Sequence, residues 1–295
     1  MTAPDILNRA ELVALVERCL DAFVARDAAL LPLSAQARYT ENGQLLPIGD
    51  GFWATCNRAG SYRHIVADPV TQQAGVMAVL YENEIAVIFG ARLSVEQGKI
   101  TEIEVMVSRD PLFFNPDGPQ RLEAMGEPLP IWQQRVRPEN RPDRAQLAAL
   151  ANAYFSVVER NDGTKTAPFA PGVERWDNGR RATHAPDLDP PGAQPFYALG
   201  AGEQLALGYF RFVSRVRDRR YPIIDEEAGT VFALAFLDHA GTMHEVELTD
   251  GRIMPVAIKQ PFSWQIMDML KITDGQIQQM EVLLNKCFYG MRSGW

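Results

Sequence analysis

The sequence predicts an α+β protein of two tandem cone-shaped modules, each a curved antiparallel sheet wrapped on helices. Its 295 residues are enough for two ordinary domains. An amphipathic helical pattern begins at Ala10 and again at Arg144, an offset of about 135 residues. A strand–glycine–strand pattern centred on Gly98 recurs at Gly275, an offset of about 177 residues. Helices gathered on one face of such a sheet form an α+β layer.

Both helices are predicted from the spacing of their apolar residues. Residues 10–27 and 144–162 place them at the i, i+3, i+4 and i+7 positions of one helical face. The stripes contain Leu12, Leu15, Val16, Cys19, Leu20 and Phe23 in the first copy, and Leu147, Leu150, Ala151, Tyr154, Phe155 and Val158 in the second. Each helix should therefore cover a hydrophobic face of its sheet.

After each helix comes an acidic residue followed by Asn-Gly, which is a strong turn signal. The first copy has Glu41-Asn-Gly at this point and the second has Asp177-Asn-Gly. Apolar strands follow at Val76 and Val231, and the hairpins at Gly98 and Gly275 close the modules. Glu41 could face the interior as a proton-transfer group, whereas the recurrence of an acid at Asp177 favours the alternative that this residue only stabilises the turn.

The pattern gives a first module over residues 1–115, a Pro-rich linker over 116–143, and a second module over 144–295. The second copy is longer by two insertions, near 183–209 and 238–263, and the latter predicts a hairpin turning at Asp250-Gly251. The aromatic C-terminal sequence CFYGMRSGW should fold back, over a pocket or a partner subunit.

Composition excludes several classes of function. The chain is 46% hydrophobic and 22% charged, with a formal net charge of −8, so it does not attract nucleic acid or an anionic membrane. Three scattered cysteines suit a reducing compartment and no thiolate metal site. The N-terminus lacks a signal-peptide pattern and the apolar runs are too short to span a bilayer. These features predict a cytoplasmic protein.

The repeated features resemble the nuclear transport factor 2-like, or SnoaL-like, superfamily. The resemblance is carried by the helix from Glu11, by residues 39–43 and by the hairpin at Gly98, and it recurs at Asp177 and Gly275. The stretch RRYPIIDEEAGTV, residues 219–231, is similar to one in tandem proteins of this fold. The superfamily includes scytalone dehydratase, ketosteroid isomerase, polyketide cyclases, diarylpropane lyases and non-enzymatic carriers. The resemblance implies a cone that holds a small molecule.

Three residues of the first module are candidate catalytic groups. His64 lies in an alternating stretch, and if its face looks into the cone the imidazole can act as general acid or base. Tyr39 and Glu41 share a strand face, so the phenol could bind an oxyanion and the carboxyl could move a proton. The alternatives are a hydrogen-bonded structural histidine and a turn-stabilising acid.

Other residues are candidates for substrate binding. Arg92 interrupts a buried strand, so its guanidinium should meet a carboxylate, such as that of Glu104, or an anionic substrate group. Arg219, Tyr221 and His244 could line the second cone. Aromatic residues near the loops, among them Trp53 and Trp176, suit either a flat apolar ligand or contacts between the modules.

No nucleotide-binding glycine motif, nucleophile elbow or metal-binding histidine spacing is present, which predicts neither a cofactor nor a metal. We expect a cofactor-independent lyase, dehydratase or isomerase that moves protons in a small apolar, aromatic substrate. The resemblance to diarylpropane lyases further implies a phenolic, lignin-derived dimer that loses formaldehyde through a quinone methide. The alternative is a non-catalytic small-molecule binding protein. The sequence is compatible with a homo-oligomer and leaves the oligomeric state open.

Overall fold

The computed structural model describes residues 6–109, 117–189 and 195–295, and it confirms the predicted α+β class with two tandem modules. The described residues form two compact units. The first unit comprises 6–109, 117–129 and 292–295, and the second comprises 130–189 and 195–291. Each unit has a six-stranded sheet, and the two sheets share one strand order.

The first unit packs its main helix against a sheet of order β2-β1-β6-β5-β4-β3. Its elements are α1 (Arg9–Ala25), β1 (Leu33–Glu41), β2 (Gln44–Leu46), α2 (Phe52–Thr55), β3 (Cys56–Asp68), β4 (Gln73–Glu82), β5 (Ile85–Glu96), β6 (Lys99–Ser108) and α3 (Gly118–Met125).

The second unit repeats this arrangement with a sheet of order β8-β7-β14-β13-β10-β9. Its elements are α4 (Arg144–Glu159), β7 (Phe169–Asp177), β8 (Arg180–Arg181), α5 (Ala201–Ala206), β9 (Arg215–Asp225), β10 (Thr230–His239), β11 (Glu245–Glu247), β12 (Ile253–Pro255), β13 (Phe262–Thr273) and β14 (Gln276–Cys287). Strands β11 and β12 form the hairpin predicted in the second insertion, turning at Asp250-Gly251.

Each sheet has one parallel contact, which the sequence pattern did not predict. Strand β1 runs parallel to β6, and β7 runs parallel to β14, while the other neighbours are antiparallel. Consecutive strands β3 to β6 are joined by short turns and so alternate in direction. Strands β1 and β6 are far apart in the sequence and are not joined by a hairpin, so no turn sets their relative direction.

The two main helices begin with the same capping arrangement. The Asn8 side chain accepts a hydrogen bond from the Glu11 amide at 3.1 Å, and the Glu11 carboxylate accepts one from the Asn8 amide at 2.7 Å. Asp143 and Gln146 do the same at the start of α4. This capping box satisfies amides that the helix leaves unpaired. No helix in the described ranges is long and apolar enough to cross a membrane.

The repeated Asn-Gly sequence is a structural device. Asn42 and Gly43 have φ angles of 48° and 78°, and Asn178 and Gly179 have 46° and 80°. These left-handed conformations suit Asn and Gly and make a tight hairpin turn. Each asparagine also bonds the neighbouring strand in both directions; the Asn42 side chain donates to the Val107 carbonyl at 3.1 Å and accepts from its amide at 2.8 Å. These hydrogen bonds attach the turn after β1 to strand β6, the strand with which β1 makes its parallel contact.

Aromatic rings fill the interior of the first unit. Phe23 stacks on Trp53 with ring centroids 4.3 Å apart, and Phe52 stacks on Phe89 at 5.4 Å. Phe23 and Phe89 also meet edge to face at 5.2 Å. All four side chains are fully buried. Helix α2 brings Phe52 and Trp53 into this interior, so its aromatic residues are core.

The segment predicted as a linker, 116–143, carries structure in both units. In the first unit, Glu123 of α3 accepts hydrogen bonds from the amides of Ser61 and Tyr62 at 2.9 and 3.3 Å. In the second unit, the buried Lys271 ammonium donates to the carbonyl of Gln134 at 2.6 Å. The described part of this segment is thus attached to each unit by specific hydrogen bonds.

The C-terminal tail folds back, as predicted, and its last four residues lie in the first unit. The Trp295 ring lies 4.4 Å from the Arg38 guanidinium and 5.1 Å from that of Arg92. Its indole nitrogen donates to the Thr40 hydroxyl at 2.9 Å. These cation–π contacts and the hydrogen bond order the terminus.

Candidate functional site

The second unit encloses a cavity of about 140 Å³ between its sheet, helix α4 and its insertions. Strands β7, β10, β13 and β14 supply the sheet side, and residues 196–213 and 256–258 supply the insertion side. Much of the lining is aromatic, notably Tyr154, Phe155, Tyr197, Tyr209, Phe210 and Trp264. An apolar cavity with a few convergent polar groups is the usual form of a small-molecule site.

Three ionisable residues, Arg175, Asp177 and Asp268, line this cavity because alternation along their strands turns them to the same face. Arg175 and Asp177 are two positions apart on β7 and so share a face. Asp177 lies opposite Val282 of β14, which in turn lies opposite Asp268 of β13. The two acids therefore occupy one row across three neighbouring strands, on the face that the helix covers.

Arg175 and Asp177 form a buried ion pair. The Arg175 Nε atom lies 3.2 Å from each oxygen of the Asp177 carboxyl. Burial raises the pKa of Asp177 while Arg175 opposes that rise, and the pKa of Arg175 is raised by Asp177 although burial alone would lower it. The guanidinium also lies 5.5 Å from the centre of the Phe210 ring. The pair is close to electrically neutral as a unit.

Asp268 is the most unusual group in the cavity. It is fully buried, and neither oxygen of its carboxyl has a hydrogen-bond partner among the described residues. Burial and the nearby negative charge of Asp177 raise its pKa well above the usual range, although Arg175 opposes this. An ionised, unbonded carboxylate in such a site would be very costly. Burial without a hydrogen-bond partner therefore favours the neutral, protonated form of the Asp268 carboxyl.

Tyr154 lies close to this acid. It projects from α4, and burial raises the pKa of its phenol. Asp268 and Asp177 raise this pKa further when they are ionised, and Arg175 opposes the rise. Burial likewise raises the pKa of Tyr209 to about 12. These phenols are neutral donors at neutral pH. Asp268 and Tyr154 both line the cavity, so each can donate a hydrogen bond to a ligand there when protonated.

His239 lies elsewhere along the cavity, six positions along β10 from Ala233, the residue opposite Asp268. Its ring is stacked on Phe262 at 4.7 Å and on Phe212 at 5.7 Å. Burial lowers its pKa to about 4, so the imidazole is neutral at neutral pH. Its Nδ1 atom has no hydrogen-bond partner within the described ranges. His239 is a second polar point, remote from Asp268.

Hydrogen bonds hold the first insertion in place, and its aromatic residues form one side of the cavity. The Asp189 carboxylate accepts hydrogen bonds from the amides of Phe196, Tyr197 and Ala198, each at 2.9 Å. Asn161, at the end of α4, donates to the Leu205 carbonyl at 2.7 Å and accepts from the Phe210 amide at 2.8 Å. The side wall is therefore held by backbone hydrogen bonds as well as by ring packing.

The matching positions of the first unit carry different chemistry. Ala91 lies opposite Val105, as Asp268 lies opposite Val282, so alanine stands where the second unit has its buried acid. Tyr39 and Glu41 correspond to Arg175 and Asp177 by the same pairing. Bulky rings fill the space around them. The acid–base arrangement thus belongs to the second unit.

The structure brings together two of the three predicted catalytic residues. The Tyr39 phenol donates to the Glu41 carboxylate at 3.1 Å. Glu41 also accepts from the Phe52 amide at 2.5 Å and lies 2.9 Å from the Arg109 guanidinium. Burial, and then the charge of Glu41, raise the pKa of Tyr39. Both side chains are engaged within a filled interior, and their catalytic roles stay predictions.

His64 is not brought together with that pair. Its neighbours on β3 face the interior, since Arg63 pairs with Glu17 of α1 and Ile65 packs against the core. Alternation then turns His64 to the opposite face, where it is buried. The pairing of β3 with β4 shifts register between Ala59 and Arg63. The alternation of side chains between the two faces is therefore counted from Arg63 onward. The interior-facing placement required for its predicted role is not observed.

The predicted pairing of Arg92 with Glu104 is confirmed. Arg92 Nε lies 2.9 Å from Glu104, and its other nitrogens reach Glu102 at 2.7 Å and Gln73 at 2.8 Å. This guanidinium is fully engaged by the protein. Trp53 donates its indole hydrogen to the Ala22 carbonyl at 3.1 Å and is core.

The other predicted substrate-binding residues lie outside the cavity lining. Arg219 binds Glu159 and Ser156 of α4, at 2.8 and 2.9 Å. Tyr221 donates to Asn152 at 3.0 Å. Trp176 alternates with Arg175 and Asp177 on β7 and so faces the other way, donating to Glu174 at 3.1 Å. His244 is exposed just before β11. Their predicted roles stay predictions.

The sequence carries the same kind of signal for Asp268 as for Arg92. A single acid interrupts the apolar run QIMDMLKI, in the same way that Arg92 interrupts its strand. A buried charge requires either a partner or a function. Arg175, His239 and Tyr154 carried no comparable signal. Among the residues described, no group of three or more histidine, cysteine, aspartate or glutamate side chains could hold a metal ion.

A comparison with protein families found a match that covers most of the second unit. Residues 140–284, just under half of the chain, match a family described as a domain of unknown function, DUF8021. Every residue that lines the cavity falls inside this range. A comparison with curated proteins found no match.

Solved structures show distant similarity. A protein from Silicibacter sp. TM1040 assigned as a polyketide cyclase is 16% identical, with 35% of this chain and 92% of that chain covered and a TM-score of 0.28. AclR of Streptomyces galilaeus, assigned as a hydroxylase, is 14% identical over 48% and 91%, with a TM-score of 0.29. AusH of Aspergillus nidulans is 15% identical over 49% and 86%, with a TM-score of 0.30. Such low scores leave the function to be argued from the chain's own geometry.

Proposed function

We propose that the second unit is a proton-transfer enzyme, an isomerase or lyase, that acts on a small apolar substrate in its cavity. The observation that carries this proposal is Asp268, a buried acid without a partner among the described residues, beside the Arg175–Asp177 pair. A binding protein needs an apolar cavity but no convergent titratable groups with shifted pKa values. Such groups are typical of catalytic sites.

The proposed chemistry begins with a substrate carbonyl oxygen that accepts a hydrogen bond from the Asp268 carboxyl. Tyr154 supplies a second donor. The Asp177 carboxylate removes a proton from the carbon next to the carbonyl, and the electron pair of that C–H bond forms an enol-type double bond. The two donors stabilise the charge that develops on oxygen. Return of the proton to another carbon gives isomerisation.

Loss of a leaving group is the lyase form of the same chemistry. The electron pair of the enol-type intermediate then expels a hydroxyl group from the next carbon, and Asp268 gives that group its proton as water leaves. Asp177 holds the proton taken from carbon and Asp268 becomes a carboxylate, so one proton must pass back before the next cycle. Arg175 keeps Asp177 ionised for this role, at the cost of weakening it as a base.

Phenolic substrates are the more specific form of the proposal. A phenol with a benzylic hydroxyl can lose water to a quinone methide, and the superfamily resemblance suggests loss of formaldehyde from a lignin-derived dimer. The cavity of about 140 Å³ is close to one of about 150 Å³ that binds benzene. One ring therefore fits better than two, which ranks single-ring carbonyl compounds and phenols ahead of dimers.

The test is hydrogen–deuterium exchange at carbon, which detects proton removal before the natural substrate is known. Single-ring ketones are incubated with the protein in D₂O and followed by NMR. We expect exchange with the wild type, and a loss of about 10²–10⁴-fold in Asp177→Asn and Asp268→Asn. Asp274→Asn makes the same change on an exposed turn and should leave the rate unaltered.

Variants of the first unit decide which unit is active. Exchange that disappears in Glu41→Gln or His64→Ala, while Asp268→Asn is unaffected, would move the site to the first unit and contradict the proposal. Binding of ketones without exchange would indicate the alternative, a non-catalytic binding protein.

A further inference from the structure

The cavity of the second unit has an unusual balance of charge. Arg175 is compensated by Asp177, with both carboxyl oxygens 3.2 Å from its Nε atom. Asp268 has no hydrogen-bond partner in the described part of the chain and is shielded from solvent, conditions in which the neutral acid is favoured. The rest of the lining is dominated by aromatic and aliphatic side chains. Among the described residues, the cavity lining therefore presents neutral donors, and its Arg175 and Asp177 charges compensate each other.

We propose that this cavity selects an uncharged single-ring ligand with a carbonyl oxygen, and rejects carboxylates and ammonium ions of the same shape. The inference deepens the proposed function, on which it rests, by specifying the charge and the polar group of the substrate.

An anionic ligand would lack a partner. The cation that could receive it, Arg175, already binds Asp177. A ligand carboxylate next to Asp177 and Asp268 would meet one negative charge and one group that becomes negative on ionisation. Binding would require the Arg175–Asp177 pair to separate, which leaves a buried charge unpaired. A carbonyl oxygen needs no such change, because Asp268 and Tyr154 donate to it as they stand.

A cationic ligand is the stronger competitor, because aromatic walls attract cations. An ammonium group would require Asp268 to lose its proton and act as a counter-ion. Arg175 lies in the same cavity and repels a second positive charge. An ammonium ion is favoured by carboxylates that have no cation beside them. In this cavity Arg175 already occupies the position beside Asp177.

Four probes of nearly one shape test the inference. Acetophenone is uncharged, benzoate is an anion and benzylamine is a cation at pH 7. Ethylbenzene has the same outline as acetophenone without the oxygen. Their dissociation constants for the full-length protein are measured by calorimetry, or by ligand NMR where binding is weak.

We expect acetophenone to bind at least tenfold more tightly than either charged probe, and more tightly than ethylbenzene. Benzoate or benzylamine binding as tightly as acetophenone would overturn the inference, as would failure of all the probes to bind. In Asp268→Leu, the advantage of acetophenone over ethylbenzene should shrink to what Tyr154 alone supplies while ethylbenzene still binds, which also shows that the variant is folded. An advantage that persists in full would remove Asp268 as the donor.

Asp268→Asn separates this inference from the proposed function. Its amide is a neutral hydrogen-bond donor of the same size but cannot transfer a proton to the oxygen on which charge develops, so the ranking of the probes should persist while proton exchange is lost. The expected ranking without any exchange in the wild type would refute the catalytic proposal and leave ligand selection intact. Exchange of ketone protons together with tight benzoate binding would support the catalytic proposal and refute the inference about ligand selection.

Discussion

Replacing Asp268 with asparagine should change how the stability of the protein depends on pH. The carboxyl is fully buried and its oxygens have no hydrogen-bond partner among the described residues. Arg175, Asp177, Glu281, Tyr154 and Tyr221 are charged or titratable groups that interact with it, and burial together with Asp177 keeps its pKa well above the usual range. Asparagine keeps the shape of the neutral acid and cannot ionise.

The size of the effect follows from proton linkage. An ordinary aspartate has a pKa of about 3.9, so the unfolded chain loses this proton first. Where the pH lies between that value and the raised pKa of Asp268, the folded state holds one more proton than the unfolded state. The free energy of unfolding then falls by about 1.4 kcal/mol for each unit of rising pH. The stabilising contribution is complete below the unfolded pKa and is lost as pH rises through the folded pKa.

The assay is urea denaturation of wild type, Asp268→Asn and Asp274→Asn at pH 5, 6 and 7. While the pH stays below the raised pKa of Asp268, the wild type should lose about 1.4 kcal/mol per pH unit relative to Asp268→Asn. Asp274→Asn, with the same substitution on an exposed turn, should run parallel to the wild type. Parallel curves for all three proteins would show that Asp268 ionises normally, and the reasoning about the site would fail.

Three further changes test the packing around the site and in the first unit. Arg175→Met should destabilise the protein by about 3–5 kcal/mol in urea denaturation, because it leaves Asp177 buried and uncompensated; a loss below 1 kcal/mol would mean that the pair is solvated. Trp53→Ala should cost about 3–5 kcal/mol by opening the first unit's aromatic core, with ketone binding unchanged; calorimetric binding that weakens as much as stability would contradict a site confined to the second unit. Trp295→Ala should cost about 1–2 kcal/mol through loss of its cation–π contacts and the bond to Thr40, and an unchanged melting temperature would show that the tail contributes nothing to stability.

Local signals in the sequence predicted much of the fold. The apolar stripes fixed both main helices, and their first turns carry the capping residues Asn8 and Asp143. The Asn-Gly pairs at Asn42 and Asn178 marked turns that require left-handed backbone. These features depend on residues close in sequence, which is why periodicity and turn chemistry reveal them.

Features that depend on distant residues were not predictable in the same way. Alternation shows that Tyr62, His64 and Val66 share a face, but only the packing of α1 against β3 decides which face is inside. The parallel contact of β1 with β6 has no local signal either.

The candidate site shows the same division. Asp177 was visible because it recurs with Glu41, and Asp268 could have been found as an acid within an apolar strand. Their position in one row depends on the register of β7, β14 and β13, which only the folded sheet supplies. The filling of the first interior by Phe52 and Trp53 depends on the path of α2.

A crystal structure of the protein with acetophenone bound at pH 6 tests the central claim most directly. The account predicts one ketone in the cavity of the second unit, with its oxygen within hydrogen-bond distance of Asp268 and the Arg175–Asp177 pair intact. A ketone bound in the first unit, or one in the second unit whose oxygen avoids Asp268, would contradict it.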